Sequence, residues 1–311
     1  MVLWLCACVG VERHEAHGQH RVGNWSVLWF GVDAELDTVV TPILEEVDRA
    51  ISNFREDSEV SRASRLGGAE LSPLAAAAVA RALGLAEETH GAFDPTVGPL
   101  MALWGFRDET IWVQPSEAAI TSAMARVGWK RVRLEGHFLD PGPTRLDLSA
   151  VGQGFAADLV SDGLVAAGLS VHLVEVDGEI RVRGTPPGGL WQVQIDSPRP
   201  EKGLGMATLG LRSGGLATSG NYRKRRNVAG VEVTHILDPR TGRPAITGVA
   251  SATVVAPTAT EADGLATVCV LLGQSCFPVI LAHGAEAWLV FDDGEEVATV
   301  GFPVRQEVDP G

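Results

Sequence analysis

Cysteine is scarce in this 311-residue chain: Cys6, Cys8, Cys269 and Cys276 are the four, and no two form a Cys-x-x-Cys pair. That spacing argues against a zinc site or a dithiol redox centre. It leaves Cys269 and Cys276, both in apolar surroundings, to be read as small core residues. Positive charge is also short. The 25 Lys and Arg against 39 Asp and Glu give a net charge of −14 and a pI of about 5.0. Such a balance argues against sequence-independent binding of nucleic acid, which needs cationic neutralisation of phosphates. It points to an anionic ligand being held locally, by backbone amides or a metal. There is no apolar run that reads as a transmembrane helix, no internal repeat and no low-complexity linker. A Gly-x-Gly-x-x-Gly fingerprint and a Walker lysine are also missing.

What is present is an ordinary globular composition, 45% hydrophobic and 21% charged, with 36 glycines that imply many tight turns. The opening "MVLWLCACVG" has no basic flank and is too short for a signal-peptide core. Its "LCAC" resembles a lipoprotein cleavage site before Cys8, on a truncated apolar stretch. His14, His17 and His20 follow at i, i+3, i+6, a spacing open to a metal site or to a solvated tail. We expect residues 1–24 to be a flexible segment and 25–311 to form a single domain. The compartment stays open between cytoplasmic and extracytoplasmic membrane-associated.

"WSVLWFGV" (25–32) reads as a strand. Helical spacing predicts helices over 37–54, capped by Asp37 or Thr38, over 72–90 with Ser72 as cap and Pro73 at the first position, and over 116–128. "TRLDLS" (144–149) reads as a strand leading through a glycine turn into the helix "GQGFAADLVSDGLVAAG". "VHLVEV", "EIRVRG", "WQVQID", "MATLGLR", "ASATVVA" and "AEAWLVF" read as strands, and 221–239 as a hairpin turning at Ala229-Gly230. Helices and strands mix without strict alternation, which points to an α+β fold, mixed sheets with packed helices.

Four stretches carry chemistry. In "VVAPTATEADGLATVCVLLG", Thr258 and Glu261 fit a capping box, so Asp263 has no capping duty. Asp263 and Thr267 are one turn apart on one face, a carboxylate–hydroxyl pair suited to Mg²⁺. The same residues also suit a helix dipole and ordinary packing. In "LDLSAVGQGFAAD", Asp147 precedes Gly152 and Gly154, where backbone amides at a helix start could meet a phosphate, or where the glycines simply make a turn. In "THILDPRTGRPA", His235 stands beside a turn and could be a general base or a structural histidine. In "FDPTVGPLMALWGF", Trp104, Gly105 and Phe106 could form a stacking shelf or core. The basic run "RKRR" (223–226) would alternate faces in a strand and reads as a solvated hairpin.

These stretches, with "FREDSEVSRAS", "VDGEIRVRG" and "LATSGNYRKR", stand in one order and together resemble the FAD:protein FMN transferase family, the ApbE-like proteins. The resemblance covers roughly residues 25–300. It implies an ApbE-like fold with FAD in a central cleft and a Mg²⁺-dependent transfer. The FAD pyrophosphate is cleaved, FMN is attached by a phosphoester to a threonine of a target flavoprotein, and AMP is released. By motif position, Asp263, Thr267 and the backbone carbonyl of Ala150 resemble the metal ligands. Phe54, Trp104, Gly105, Phe106, Asp147, Gln153 and Leu237 resemble FAD contacts, and His235 resembles the family's base. The implied partners are FAD and the target flavoprotein, with membrane association through that target and no nucleic acid.

The chain departs from the family pattern in four places. Asp177-Gly178-Glu179 stands where Gly-Gly-Asp is usual, Asn221 where an acid is usual, Gln153 where many members are charged, and Val22-Gly23-Asn24 where Met-Gly-Thr is expected. These bear on FAD affinity. They keep two other readings in play: an FAD pyrophosphatase giving FMN and AMP, and a non-catalytic FAD-binding protein.

Overall fold

The computed structural model describes residues 12–107, 114–196, 198, 207–220, 226–228, 231–303 and 305–307. Its frame is an eight-stranded sheet in the order β1 (Arg13–His20), β2 (Gly23–Phe30), β6 (His172–Val176), β7 (Glu179–Arg183), β10 (Gly214–Gly220), β15 (Val249–Ala256), β16 (Glu286–Phe291) and β17 (Glu296–Ala298), every neighbour antiparallel. Period-2 alternation sends each strand's residues to two different cores. Val27, Val174, Val176, Ala217 and Val254 face a helical layer. Leu28, Leu173, Val182, Leu216 and Trp288 face a second sheet of β8 (Trp191–Ile195), β9 (Ala207–Leu211) and β18 (Arg305–Glu307). The fold is thus the expected α+β mixture, in three layers.

The helical layer holds α1 (Asp37–Ile51), α2 (Glu59–Leu66), α3 (Pro73–Glu88), α6 (Ser149–Ala166), α7 (Ala259–Leu272) and α8 (Phe277–Ala282). In α1 the buried Val40, Leu44, Val47 and Ile51 recur on one face, as the sequence spacing requires. Helix α7 is different: it is apolar nearly all round and sits buried on β10, β15 and α6. Residues 259–282 are long and apolar enough to cross a membrane by length and composition alone, contrary to the expectation above, but here they form this core helix, a short turn and α8. A third, small core joins α4 (Gly98–Leu103) and α5 (Glu117–Met124) to residues 233–237. The sheet of β3 (Ala69–Glu70), β4 (Arg133–Glu135) and β5 (Phe138–Asp140) and the ribbons β11 (Arg226–Val228) with β12 (Val231–Val233) and β13 (Leu237–Asp238) with β14 (Arg243–Pro244) complete the elements.

Caps follow the sequence closely. The hydroxyls of Ser72, Ser116 and Thr258 accept the backbone N–H three residues on, at the starts of α3, α5 and α7. Among the caps expected from sequence, that of helix α1 is the exception, with Leu36 at the N-cap and no side-chain cap. The hairpin expected over 221–239 is present as β11 and β12, while its turn at 229–230, Asn221 and most of the basic run lie outside the described residues.

Three expectations are corrected. Residues 13–20, expected within a flexible 1–24 segment, are β1, paired with β2 along its whole length. A polar strand can still join a sheet when a neighbour offers a complete ladder of partners. In that strand His14 and His20 share one face and His17 takes the other, so the three do not gather round one metal. Residues 144–149 form no strand. Asp147 N–H donates to Pro95 O at 2.7 Å and the Asp147 carboxylate accepts the Ser149 N–H, a local turn that replaces a ladder. Cys269 and Cys276 are fully buried as expected, but they are joined as a disulfide.

A buried histidine gives a stability prediction. His172 is fully buried, with Nδ1 donating to Leu169 O and Nε2 accepting from Ser161 Oγ, both at 2.7 Å. Burial pulls its pKa down to about 4. The unfolded chain takes up this proton below about pH 6.5 and the fold does not, so stability is present above that pH and lost as pH falls towards 4, at about 1.4 kcal/mol per pH unit. We expect His172→Gln to be less stable at pH 7.5 yet to lose less stability between pH 6.5 and 4.5, measured by urea unfolding at a series of pH values.

Candidate active site

A cleft of about 260 Å³ opens where the helical layer meets the ends of β7 and β10 and the 234–239 segment. It brings together seven of the eleven residues expected from sequence: Asp147, Ala150, Gln153, His235, Leu237, Asp263 and Thr267. The other four do not line it. Phe54 is 75% exposed and borders an adjoining cleft that shares Ser149 and Gln153 with the first. Trp104 is 4% exposed: its indole packs in the small core and Nε1 donates to Gly242 O at 2.8 Å. It braces the turn after His235 instead of offering a ring face. Gly105 follows with φ 75°, and Phe106 packs against the same small core.

Asp263 is 5% exposed. Its Oδ2 accepts the Gly154 N–H at 3.0 Å, and among the described residues no Lys or Arg pairs with it. Desolvation pushes its pKa up to about 7, and the nearby Asp158 charge pushes the same way. The glycine at 154 is required by packing: a Cβ there would lie 2.3 Å from Ala259 O. Gly152 and Gly154 thus sit inside α6, and the Gly154 amide serves Asp263, not a ligand as the sequence suggested. A regular helix directs that N–H at the Ala150 carbonyl. Its engagement by Asp263 leaves the carbonyl with acceptor capacity, and the carbonyl faces α7, 3.8 Å from where a Cβ on Gly264 would be. One turn on, Thr267 Oγ1 lies 3.2 Å from Ser219 Oγ of β10.

A buried carboxylate, a main-chain carbonyl and a hydroxyl, with two more hydroxyls from Ser219 and Ser149 in the lining, make an oxygen-only donor set. That set fits a hard divalent cation such as Mg²⁺ and does not fit a thiophilic or imidazole-seeking metal. The charge pattern agrees. Among the described residues the lining carries Asp94, Asp147, Asp177, Glu179 and Asp263 and no Lys or Arg, so the charge of these side chains alone would repel a diphosphate.

The acids are not equivalent. Asp94 is locked by Thr96 N, Thr96 Oγ1 and Trp129 N at 2.8, 2.6 and 3.0 Å, and burial raises its pKa. Asp147 accepts from Asn53 Nδ2 at 2.6 Å and caps Ser149, so its carboxylate is fixed in place. Asp177 adopts φ 54°, a left-handed backbone that explains why glycine is usual there and that Asp tolerates better than most residues. It opens a tight turn with Gly178 and stands at the cleft's edge. Sequence reasoning did not single out Asn53, Phe93, Met101 or Ser219 as site residues, and it noted Glu179 only as a departure from the family pattern. All of these except Asn53 lie within motifs quoted above, which is the signal that could have found them.

Comparison with known proteins gives a consistent picture. The profile of the ApbE family matches residues 21–289. An FAD:protein FMN transferase of Salmonella typhimurium is 35% identical over 291 residues, covering 88% of this chain and 83% of its own length. The Escherichia coli K12 protein of the same name is 33% identical with the same coverage. Among solved structures, the flavin transferase ApbE from Vibrio cholerae superposes with a TM-score of 0.84 at 31% identity, covering 94% of this chain and 99% of its own. An ApbE protein from Thermotoga maritima gives 0.83 at 29% identity, covering 94% and 98%.

Proposed function

The chain belongs to the ApbE family, and from that premise we propose how its cleft transfers FMN from FAD to a protein threonine. One observation carries the reading: Asp263, Thr267 and Ala150 line one cleft whose other carboxylate and ammonium-type side chains, among the described residues, are all acids. In that setting a diphosphate needs a cation, and the oxygens of these three residues would hold Mg²⁺. When bound, Mg²⁺ supplies Lewis-acid stabilisation of charge on phosphate oxygens.

The chain's own groups do the rest. Asp147, fixed by Asn53, and Gln153, on the first turns of α6, orient the dinucleotide by hydrogen bonding. Phe93, Val97, Met101, Ile236 and Leu237 give the cleft an apolar wall for the flavin and exclude water from it. His235 accepts the proton of the acceptor threonine hydroxyl. The threonine oxygen forms a bond to the FMN phosphorus as the bond from that phosphorus to the bridging oxygen breaks, and AMP leaves with the bridging oxygen. The Asp177 substitution does not by itself favour a non-catalytic flavin binder, because Asp177 keeps the backbone conformation that position demands.

The test is incubation with FAD, Mg²⁺ and a flavoprotein acceptor, reading covalent flavin by in-gel fluorescence and AMP by chromatography. We expect fluorescence in the acceptor band and AMP in equal amount. AMP released at the same rate with and without acceptor, and no labelled band, would replace this reading with the pyrophosphatase.

A further inference from the structure

Helix α7 carries two of the proposed cation ligands, and its start is tightly constrained. Gly154 of α6 and Gly215 of β10 approach it from two sides: a Cβ on Gly154 would lie 2.3 Å from Ala259 O, and one on Gly215 would lie 2.3 Å from Ala259 N. Asp158, one turn after Gly154 on α6, reaches the same helix start. Its carboxylate accepts the Ala259 N–H at 3.0 Å, the Thr260 N–H at 2.9 Å and the Thr260 hydroxyl at 2.6 Å. Arg181 of β7 pairs with the same carboxylate at 3.3 Å and also donates to Pro257 O.

A helix normally finds caps for its first amides within its own sequence, and α7 has such a cap in Thr258, which takes the Glu261 N–H. The two preceding amides are taken by a carboxylate from another helix. Farther along the same interface the exchange is reversed: α7 supplies the Asp263 carboxylate and α6 supplies the Gly154 amide. The two helices are therefore locked along their axes by a carboxylate from each. Sliding or tilting of α7 would break Asp158's three bonds and move Asp263 and Thr267 together, since both ride on the rigid helix one turn apart.

We propose that Asp158 is a positioning residue for the transfer reaction, fixing the axial setting of α7 so that the Asp263 carboxylate and the Thr267 hydroxyl meet one cation. It touches neither substrate nor cation itself. This rests on the reading that those two residues hold a divalent cation.

The test compares Asp158→Asn with Ser161→Ala. The first substitution keeps the volume but loses charge and turns an NH₂ group towards amides that need acceptors. Ser161 is buried on the same helix, but its hydroxyl bonds His172 under the sheet, away from α7, so the second variant reports stability loss alone. Each is titrated with Mg²⁺ while the melting temperature is followed, and FMN transfer is measured over the same range. Asp158→Asn raises the half-saturating Mg²⁺ concentration about tenfold, the cost typical of removing a carboxylate that orients metal ligands, while saturating Mg²⁺ restores much of kcat. Ser161→Ala melts lower and keeps the wild-type Mg²⁺ midpoint within about twofold. Thr260→Val, which deletes one of the three Asp158 bonds with little change of shape, shifts the midpoint about threefold the same way, and it decides the matter if Asp158→Asn does not fold. A midpoint unchanged in the Asp158 and Thr260 variants overturns the positioning role. A wild-type protein whose melting temperature and transfer both ignore Mg²⁺ overturns the cation reading, and this proposal with it.

Discussion

Asp263→Asn should abolish FMN transfer while making the metal-free protein more stable at alkaline pH. The two effects have one origin. Burial raises the Asp263 pKa to about 7, from an ordinary value of 3.8. Below pH 4 the group is neutral in both folded and unfolded chains and costs nothing. As pH rises the unfolded chain gives up its proton first, so the fold loses stability progressively up to about pH 7 and is held at the lower level above it. Asparagine keeps the shape and can still accept the Gly154 amide, but has no proton to lose. The variant should therefore melt at least about 3 °C above wild type in chelator at pH 8, and match it within error at pH 4. Mg²⁺ should narrow this gap. Binding to the charged carboxylate at tenfold excess over Kd would stabilise wild type by about 1.4 kcal/mol and leave the variant unchanged. Transfer falls at least about 10³-fold, since charge stabilisation by a bound cation is worth several kcal/mol. Melting curves with chelator and with Mg²⁺ at pH 4 and 8, alongside the fluorescence assay, test each part. Equal Mg²⁺ responses in the two proteins would remove Asp263 from the cation site.

The same carboxylate shows how far the sequence could be read. A lone Asp with a Thr four residues on is a pattern many helices share, and its meaning comes from burial. In α7 nearly every other position is buried and apolar, which leaves Thr267 as the opening to the cleft. That much follows from hydropathy. What composition and period could not supply were the contacts between helices. Gly152 and Gly154 read either as a phosphate-binding turn or as plain turn glycines, because glycine at a helix start permits both. The structure gives Gly154 to a close approach of α6 and α7, a reason that lies far along the chain at Ala259. Trp104 stayed open between two readings for a related reason. An indole beside a glycine suits stacking and core packing equally, and the Gly242 carbonyl that decides between them is distant in the chain. The β1 strand was missed because its polar, histidine-rich residues lack an apolar alternation, and only the ladder to β2 makes it a strand. Caps and strand alternation were legible because they are local. Asn53 was not, because its amide links Asp147 and Ser149, which are nearly a hundred residues on.

His235→Ala should keep FAD binding and lose transfer. The residue sits between β12 and β13 on the cleft wall, in a segment held from both sides. Ala245 N–H donates to Ile236 O at 2.9 Å, and Trp104 fixes the following turn through Gly242. Neither anchor involves the imidazole, so truncation should leave Leu237 and the apolar wall in place, with the FAD Kd within about threefold of wild type. Transfer should fall about 10²–10⁴-fold, the range for removing a positioned base. Saturating FAD does not rescue the variant, because the loss lies in kcat. A variant that keeps a rate within tenfold of wild type would move the base to another group, and the Asp147 and Asp177 carboxylates, which share the cleft, are the ones to replace next.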